Sequence, residues 1–148
     1  MDFFDRTGKI AIGSRLRMLT DAVTSDASQI YELYGIDIKP KWFPLLFVLA
    51  DGKEKTITGI AKEIGHSHPS VSNIVGEMTA RGLVKSLEDQ KDKRRTVIAL
   101  APHGKRVAAM LTELCKDVEV AVEDISKETR HDLWRAIGEW EDRLAEKS

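Results

Sequence analysis

The chain is poor in cysteine and in aromatic residues, and it is almost without net charge. Of its 148 residues, only Cys115 carries a thiol, which excludes an intramolecular disulfide framework and most cysteine-based zinc sites. No run of about 18 apolar residues occurs, so neither a transmembrane helix nor a membrane partner is expected. The N-terminus, MDFFDRTGK, lacks the basic flank and apolar stretch of a signal peptide, and a cytoplasmic location is expected. There is no P-loop, nucleophile elbow, metal-ligand cluster or Gly-rich dinucleotide turn. The expectation is therefore a protein that is not an enzyme, with no catalytic residue, no cofactor and no metal. His66 and His68 stand two apart without a nearby cysteine or convergent carboxylates, a poor metal site. Internal repeats and low-complexity segments are also missing.

What is present is a composition that can fold. Hydrophobic residues make up 42% and charged residues 32%, enough for one core under a helix-laced surface. The net charge of −1 conceals an uneven distribution. From Arg81 to Arg106 there are eight basic against three acidic residues, a local +5; from Glu113 to Ser148 there are six against eleven, a local −5. Such asymmetry suits a protein that turns one face toward a polyanion such as DNA.

Two stretches carry a heptad-like stripe. Ile12, Leu16, Leu19, Val23, Ala27, Ile30 and Tyr34 are spaced 4, 3, 4, 4, 3, 4, which predicts a helix about 35–40 Å long. That is longer than a small domain needs, so another long helix, from a second chain, is the expected partner. After Pro102 the positions Val107, Leu111, Leu114, Val118, Val122 and Ile125 repeat the pattern, Ser126 breaks and recaps the chain, and a last helix carries Leu133, Ile137, Trp140 and Leu144. Between these arms lie three shorter helices. The first starts near Lys41, with Pro44 in its opening turn, and closes at Asp51-Gly52. The second is capped by Thr56 and ends at Gly65; the third is capped by Ser67, has Pro69 in its first turn and ends at Arg81-Gly82. The last two form a helix-turn-helix.

The stretch RGLVKSLEDQKDKRRTVIAL, Arg81 to Leu100, follows directly. Its two apolar runs have strand length and composition. The intervening Glu88 to Arg95 holds three acids and four bases, too polar to bury. A hairpin with a cationic tip is a solvated loop when it stands alone. After a helix-turn-helix it makes a winged helix.

Several strings, in this order, resemble the multiple antibiotic resistance regulator (MarR) family of bacterial transcription factors. They are Ile60-Ala61 with Gly65, SHPSVS at Ser67 to Ser72, Arg81-Gly82-Leu83-Val84, and Asp89-x-x-Asp92-x-Arg94 followed by Leu100 and Gly104. Each string alone is weak; their order over about 50 residues is specific. Trp42-Phe43-Pro44 and SHPSVS are most similar to a subgroup in which this module sometimes precedes an acetyltransferase domain, which is not expected here. The resemblance implies a mainly α (α+β) fold: a winged helix-turn-helix with long N- and C-terminal dimerisation helices. Within a single domain spanning 1–148, residues 1–36 and 102–148 would dimerise and 40–101 would bind DNA.

It also implies a homodimeric, sequence-specific regulator of transcription, expected to be a repressor, reading a near-palindromic site in double-stranded DNA. Helix 67–81 would enter the major groove, with Ser67, His68, Ser70, Ser72 and Asn73 as candidate contacts. Asn can pair with adenine, and Ser or His can meet bases or phosphates. Glu77 shares the outward face with Ser70 and Asn73. The serines also suit plain capping and solvation. In wing 88–96 the family pattern places Arg94 in the minor groove, with Asp92 orienting it or its loop, and Lys91, Lys93 and Arg95 adding phosphate contacts. Trp42 and Phe43 are candidates for the wall of a pocket for a small aromatic effector, although a core role suits them too. Cys115, next to the seam residue Leu114, is expected to be a buried or interface thiol rather than a redox sensor. Two departures from the family pattern affect capping only: Gly59 replaces a common glutamate, and Ala101 replaces a threonine. The competing reading is a winged helix that binds another protein without reading DNA.

Overall fold

The N-terminal stripe forms a helix, preceded by a short irregular start. In the computed structural model, which describes residues 2–148, α1 (Phe3–Thr7) and a 3-10 turn (Gly8–Ala11) lead into α2 (Ile12–Leu33). Only Tyr31 of α2 is buried; Leu16, Leu19 and Val23 are 43–60% exposed. Gly35 ends the helix at φ 69°, and the next N–H, that of Ile36, returns to the Tyr31 carbonyl at 2.8 Å. A positive φ at this position is available to glycine at little cost.

A 3-10 turn, Pro40–Trp42, precedes α3 (Phe43–Leu49), so the α-helix starts two residues after the expected Lys41. Pro40 and Pro44 each stand in an opening turn, where a missing N–H costs least. Thr56 then accepts the Gly59 N–H at 3.0 Å and starts α4 (Ile57–Ile64), which Gly65 closes at φ 71°. Ser67 does the same for α5 (His68–Ala80), accepting the Ser70 N–H at 3.2 Å. Each such cap is worth about 1 kcal/mol.

The hairpin is β1 (Val84–Glu88) against β2 (Thr96–Leu100), antiparallel, with Val84 opposite Leu100 and Glu88 opposite Thr96. Lys55 adds a third, one-residue rung: its N–H and C=O bond to the Ile98 backbone at 3.0 and 2.6 Å. The core lies where these elements meet. Leu45, Leu46, Leu49, Ile60, Val71 and Met78 are wholly buried, and Trp42, Leu83 and Ile98 almost so. Each such aliphatic side chain contributes about 1.5–3 kcal/mol of transfer free energy.

After the wing comes α6 (Pro102–Glu128). Its Gly104 is buried, and a Cβ there would stand 1.9 Å from the Leu83 carbonyl oxygen, which also accepts the Ala101 N–H at 2.9 Å, so the close approach requires glycine. The chain divides into two compact units, one ending at Met110 and the other running from Leu111 to Ser148.

In the second unit, Ser126 does not break the helix. Its hydroxyl donates to the Val122 carbonyl at 2.8 Å, a back-bond that satisfies serine inside a helix and lets it run on to Glu128. The break comes after Glu128, and Asp132 caps α7 (Leu133–Lys147) by accepting the Arg135 N–H at 3.1 Å. Trp134, Trp140 and Leu144 of α7 are 56–87% exposed. No helix of the described residues is long and apolar enough to cross a membrane. The architecture is the expected mainly α winged helix-turn-helix with a two-stranded sheet.

Candidate nucleic-acid interface

Helix α5 is two-sided because its sequence is. Val71, Ile74, Val75 and Met78, spaced 3, 1, 3, are all buried, as the helical period requires. The opposite side exposes His68, Ser70, Ser72 and Asn73, which line one open depression together with Gly76 and Glu77. Ser67 differs from the other candidates, since its hydroxyl is occupied as the cap of the helix.

Glu77 departs from expectation. It is not a free outward carboxylate: Oε1 accepts from Lys41 Nζ at 2.9 Å and Oε2 from the indole N–H of Trp42 at 2.8 Å. Lys39 Nζ stands 3.9 Å from Oε1. The bonds from Lys41 and Trp42 outweigh partial desolvation and hold the Glu77 carboxyl below the ordinary glutamate range. Arg81 stacks over the Trp42 ring, 5.7 Å from its centroid, and pairs with Asp37. Sequence reasoning missed this cluster. Its local signal was the string KPKW at residues 39–42, but the partner lies 35 positions away.

Trp42 is buried, with its one polar atom committed to Glu77. Phe43 is half-buried, its ring tilted against Phe47 at 5.7 Å between centroids. Buried indoles commonly need such an acceptor, which gives Trp42 a packing role whatever else it does.

The wing is shaped by its own carboxylates. Asp92 Oδ1 accepts both the backbone N–H of Arg94 (3.1 Å) and its guanidinium Nε (3.3 Å), while the Arg95 N–H bonds to the Asp92 carbonyl at 3.0 Å. Asp89 Oδ1 accepts the Lys91 N–H at 3.0 Å, and the Asp89 N–H donates to the Arg95 carbonyl at 3.0 Å. These are side-chain-to-backbone turns that Asp makes readily. The Arg94 side chain remains 92% exposed, and Lys91, Lys93 and Arg95 are exposed as well. Arg95 and His68 line one hollow together with Thr58 and Thr96, so the wing meets the N-terminal end of α5.

A second anchor fixes the wing to the helices. Lys55 Nζ donates to the Val48 carbonyl at 2.8 Å and pairs with Asp51 and Glu63, each at 3.1 Å. Desolvation works to lower the pKa of this ammonium, but the bonds to Asp51 and Glu63 prevail and it lies above the ordinary lysine value. Asp51, bonded by the Lys53 N–H and by Lys55, is held below its ordinary value. In the second unit, burial pushes the Cys115 thiol up, which disfavours the reactive thiolate.

Comparison with known proteins agrees with this architecture. Residues 36–95 match the model of the MarR family. No curated protein is similar enough in sequence to count as a relative. Among solved structures, the Staphylococcus aureus MepR–DNA complex is 24% identical, covering 79% of this chain and 94% of that one at a TM-score of 0.56. A MarR family regulator from Neisseria meningitidis is 23% identical, covering 99% and 93% at 0.60. The PcaV transcriptional regulator from Streptomyces coelicolor, solved with its natural ligand, is 17% identical, covering 99% and 96% at 0.67. At these identities the likeness is one of fold. Residues 36–95 are similar to the MarR family, and the chain as a whole shares the fold of a MarR family regulator over most of its length.

Proposed function

We propose that the chain is a DNA-binding transcriptional regulator, acting in the cytoplasm as a homodimeric repressor on a near-palindromic operator. The observation that carries this reading is the pairing of an exposed polar face on α5 with an exposed, carboxylate-oriented Arg94 on the wing. Ser70 and Asn73 would read base edges in the major groove, with His68 and Ser72 flanking them. Arg94 would enter the minor groove, where a narrow, electronegative cleft favours a guanidinium. Lys91, Lys93 and Arg95 would meet phosphates. Ser67 contributes by setting the start of the helix, and Asp92 by aiming Arg94. The match to the MarR family supports the reading, as does the occurrence of the fold in a DNA complex.

Surface chemistry supports dimerisation. The exposed stripe on α2 in the first unit, and the exposed Trp134, Trp140 and Leu144 on α7 in the second, are large apolar faces in need of cover. A second copy supplies it, and a rigid dimer can hold two recognition helices about 34 Å apart, one helical turn of DNA. A small aromatic effector would bind beside Phe43, the half-buried member of the Trp42–Phe43 pair.

Selection of bound duplexes from a random or genomic pool, followed by mobility shift across a salt series, tests the reading. A two-fold-related sequence with strongly salt-dependent binding is expected. Absence of any sequence-preferring shift at low salt would sink it in favour of a protein-binding winged helix.

A further inference from the structure

The wing supplies positive charge at only one end of α5, the end marked by His68 and Arg95. Glu77 lies one turn beyond Asn73 on the same outward face. Glu77 lies nine positions after His68, about 13–14 Å along a helix, close to the roughly 12 Å width of the major groove. A helix laid across the groove with its first turn near one phosphate strand therefore brings its Glu77 end near the other. A bare carboxylate there would repel that strand.

The structure places a net positive cluster at this end instead. Lys41 and Lys39 approach Glu77 at 2.9 and 3.9 Å, with 49% and 56% of their side chains still exposed. Lys39 lies over the Trp42 ring at 5.8 Å, and Arg81 covers the same ring while paired with Asp37. Three cations against two carboxylates leave one positive charge in excess. Trp42, buried and bonded to Glu77, fixes the carboxylate that in turn fixes Lys41.

We propose that Lys39 and Lys41 form a second phosphate-contact site for duplex DNA, at the opposite end of α5 from the wing, with Glu77 as the residue that positions them. This rests on the reading of the chain as a DNA-binding protein. Lys41 keeps donors free beside the bond to Glu77, because an ammonium has three, so a phosphate oxygen can join without breaking the tie. The contact carries no sequence information; it sets how far α5 crosses the groove.

The test uses the full chain and two labelled duplexes, the selected operator and a scrambled one, titrated by fluorescence anisotropy over a salt series. In the Lys39→Ala/Lys41→Ala variant the salt slope is expected to fall by about one per lysine. Affinity should drop roughly five- to tenfold per lysine on both duplexes alike, leaving their ratio unchanged. Lys39→Arg/Lys41→Arg should keep the wild-type slope, which a merely structural role would not require; if the alanine pair misfolds, Lys39→Gln/Lys41→Gln carries the same measurement. A folded alanine or glutamine pair with the wild-type slope overturns the site while leaving the regulator reading intact. A wild-type protein that binds neither duplex overturns both.

Discussion

Replacing Arg94 by alanine separates what the wing does from what holds it together. The Arg94 side chain is 92% exposed, and its ion pair with Asp92, at 3.3 Å, is exposed as well. Pairs of this kind contribute about 0–1 kcal/mol, so thermal unfolding should shift by no more than a few degrees. The backbone N–H of Arg94 still reaches Asp92, so the turn persists without the guanidinium. On DNA the loss is of another order. A minor-groove arginine combines a phosphate-like electrostatic contribution with groove readout, and its removal should cost about 1–3 kcal/mol, roughly fivefold to 150-fold in Kd. The salt slope should fall by about one. Anisotropy on the selected operator, alongside circular dichroism melts, measures both quantities. A folded Arg94→Ala protein with wild-type affinity would refute the assignment of the wing. Equal losses of stability and binding would refute the claim that Arg94 is functionally rather than structurally placed.

Gly104→Ala sets a Cβ 1.9 Å from the Leu83 carbonyl oxygen, a backbone atom that cannot step aside; destabilisation of about 3 kcal/mol, read by urea unfolding, is expected. If the apolar faces of α2 and α7 cover each other's copies, the melting temperature should rise with protein concentration, and Trp140→Asp should yield a smaller species in sedimentation. A melting temperature independent of concentration would count against the dimer. Acid should weaken the first unit through Glu77 and Asp51, whose folded pKa values are depressed. In that window the unfolded chain binds more protons, so their contribution is full above the ordinary carboxylate range and is lost as pH falls through the lowered values. Glu77→Gln should flatten part of that acid limb in a pH series of melts.

The features legible in the sequence were the local ones. Thr56 and Ser67 as caps and Gly52, Gly65 and Gly82 as turn residues follow from residues within four or five positions of one another, and the hairpin from two strand-like runs on either side of one polar tip. The polar face of α5 followed as well, since a buried stripe of Val71, Ile74, Val75 and Met78 leaves only one other side. What escaped depends on distant residues. The helical period places Glu77 beside Asn73 on the outward face, as the structure has it, but nothing local signals that Lys41 and the Trp42 indole bond to it. Lys55 carries no local sign of sheet pairing, yet it bridges to Ile98, 43 positions later. Ser126 failed for a different reason: serine suits a cap and an internal back-bond equally, and the Val122 carbonyl decided between them.

The division of labour along α5 bears on how such a protein could change its target. Its inward residues are buried to 6% exposure or less and carry the packing. Its outward residues Ser70, Ser72 and Asn73 are exposed, and substitutions at such positions typically shift stability by less than about 0.5 kcal/mol. If those three positions read DNA, as proposed, a new operator preference can arise there without loss of fold. Glu77 stands outside this freedom, because the carboxylate that borders the reading face also satisfies the buried Trp42 indole. Altering it moves binding and folding together, whereas Asn73, one turn earlier, leaves the core untouched.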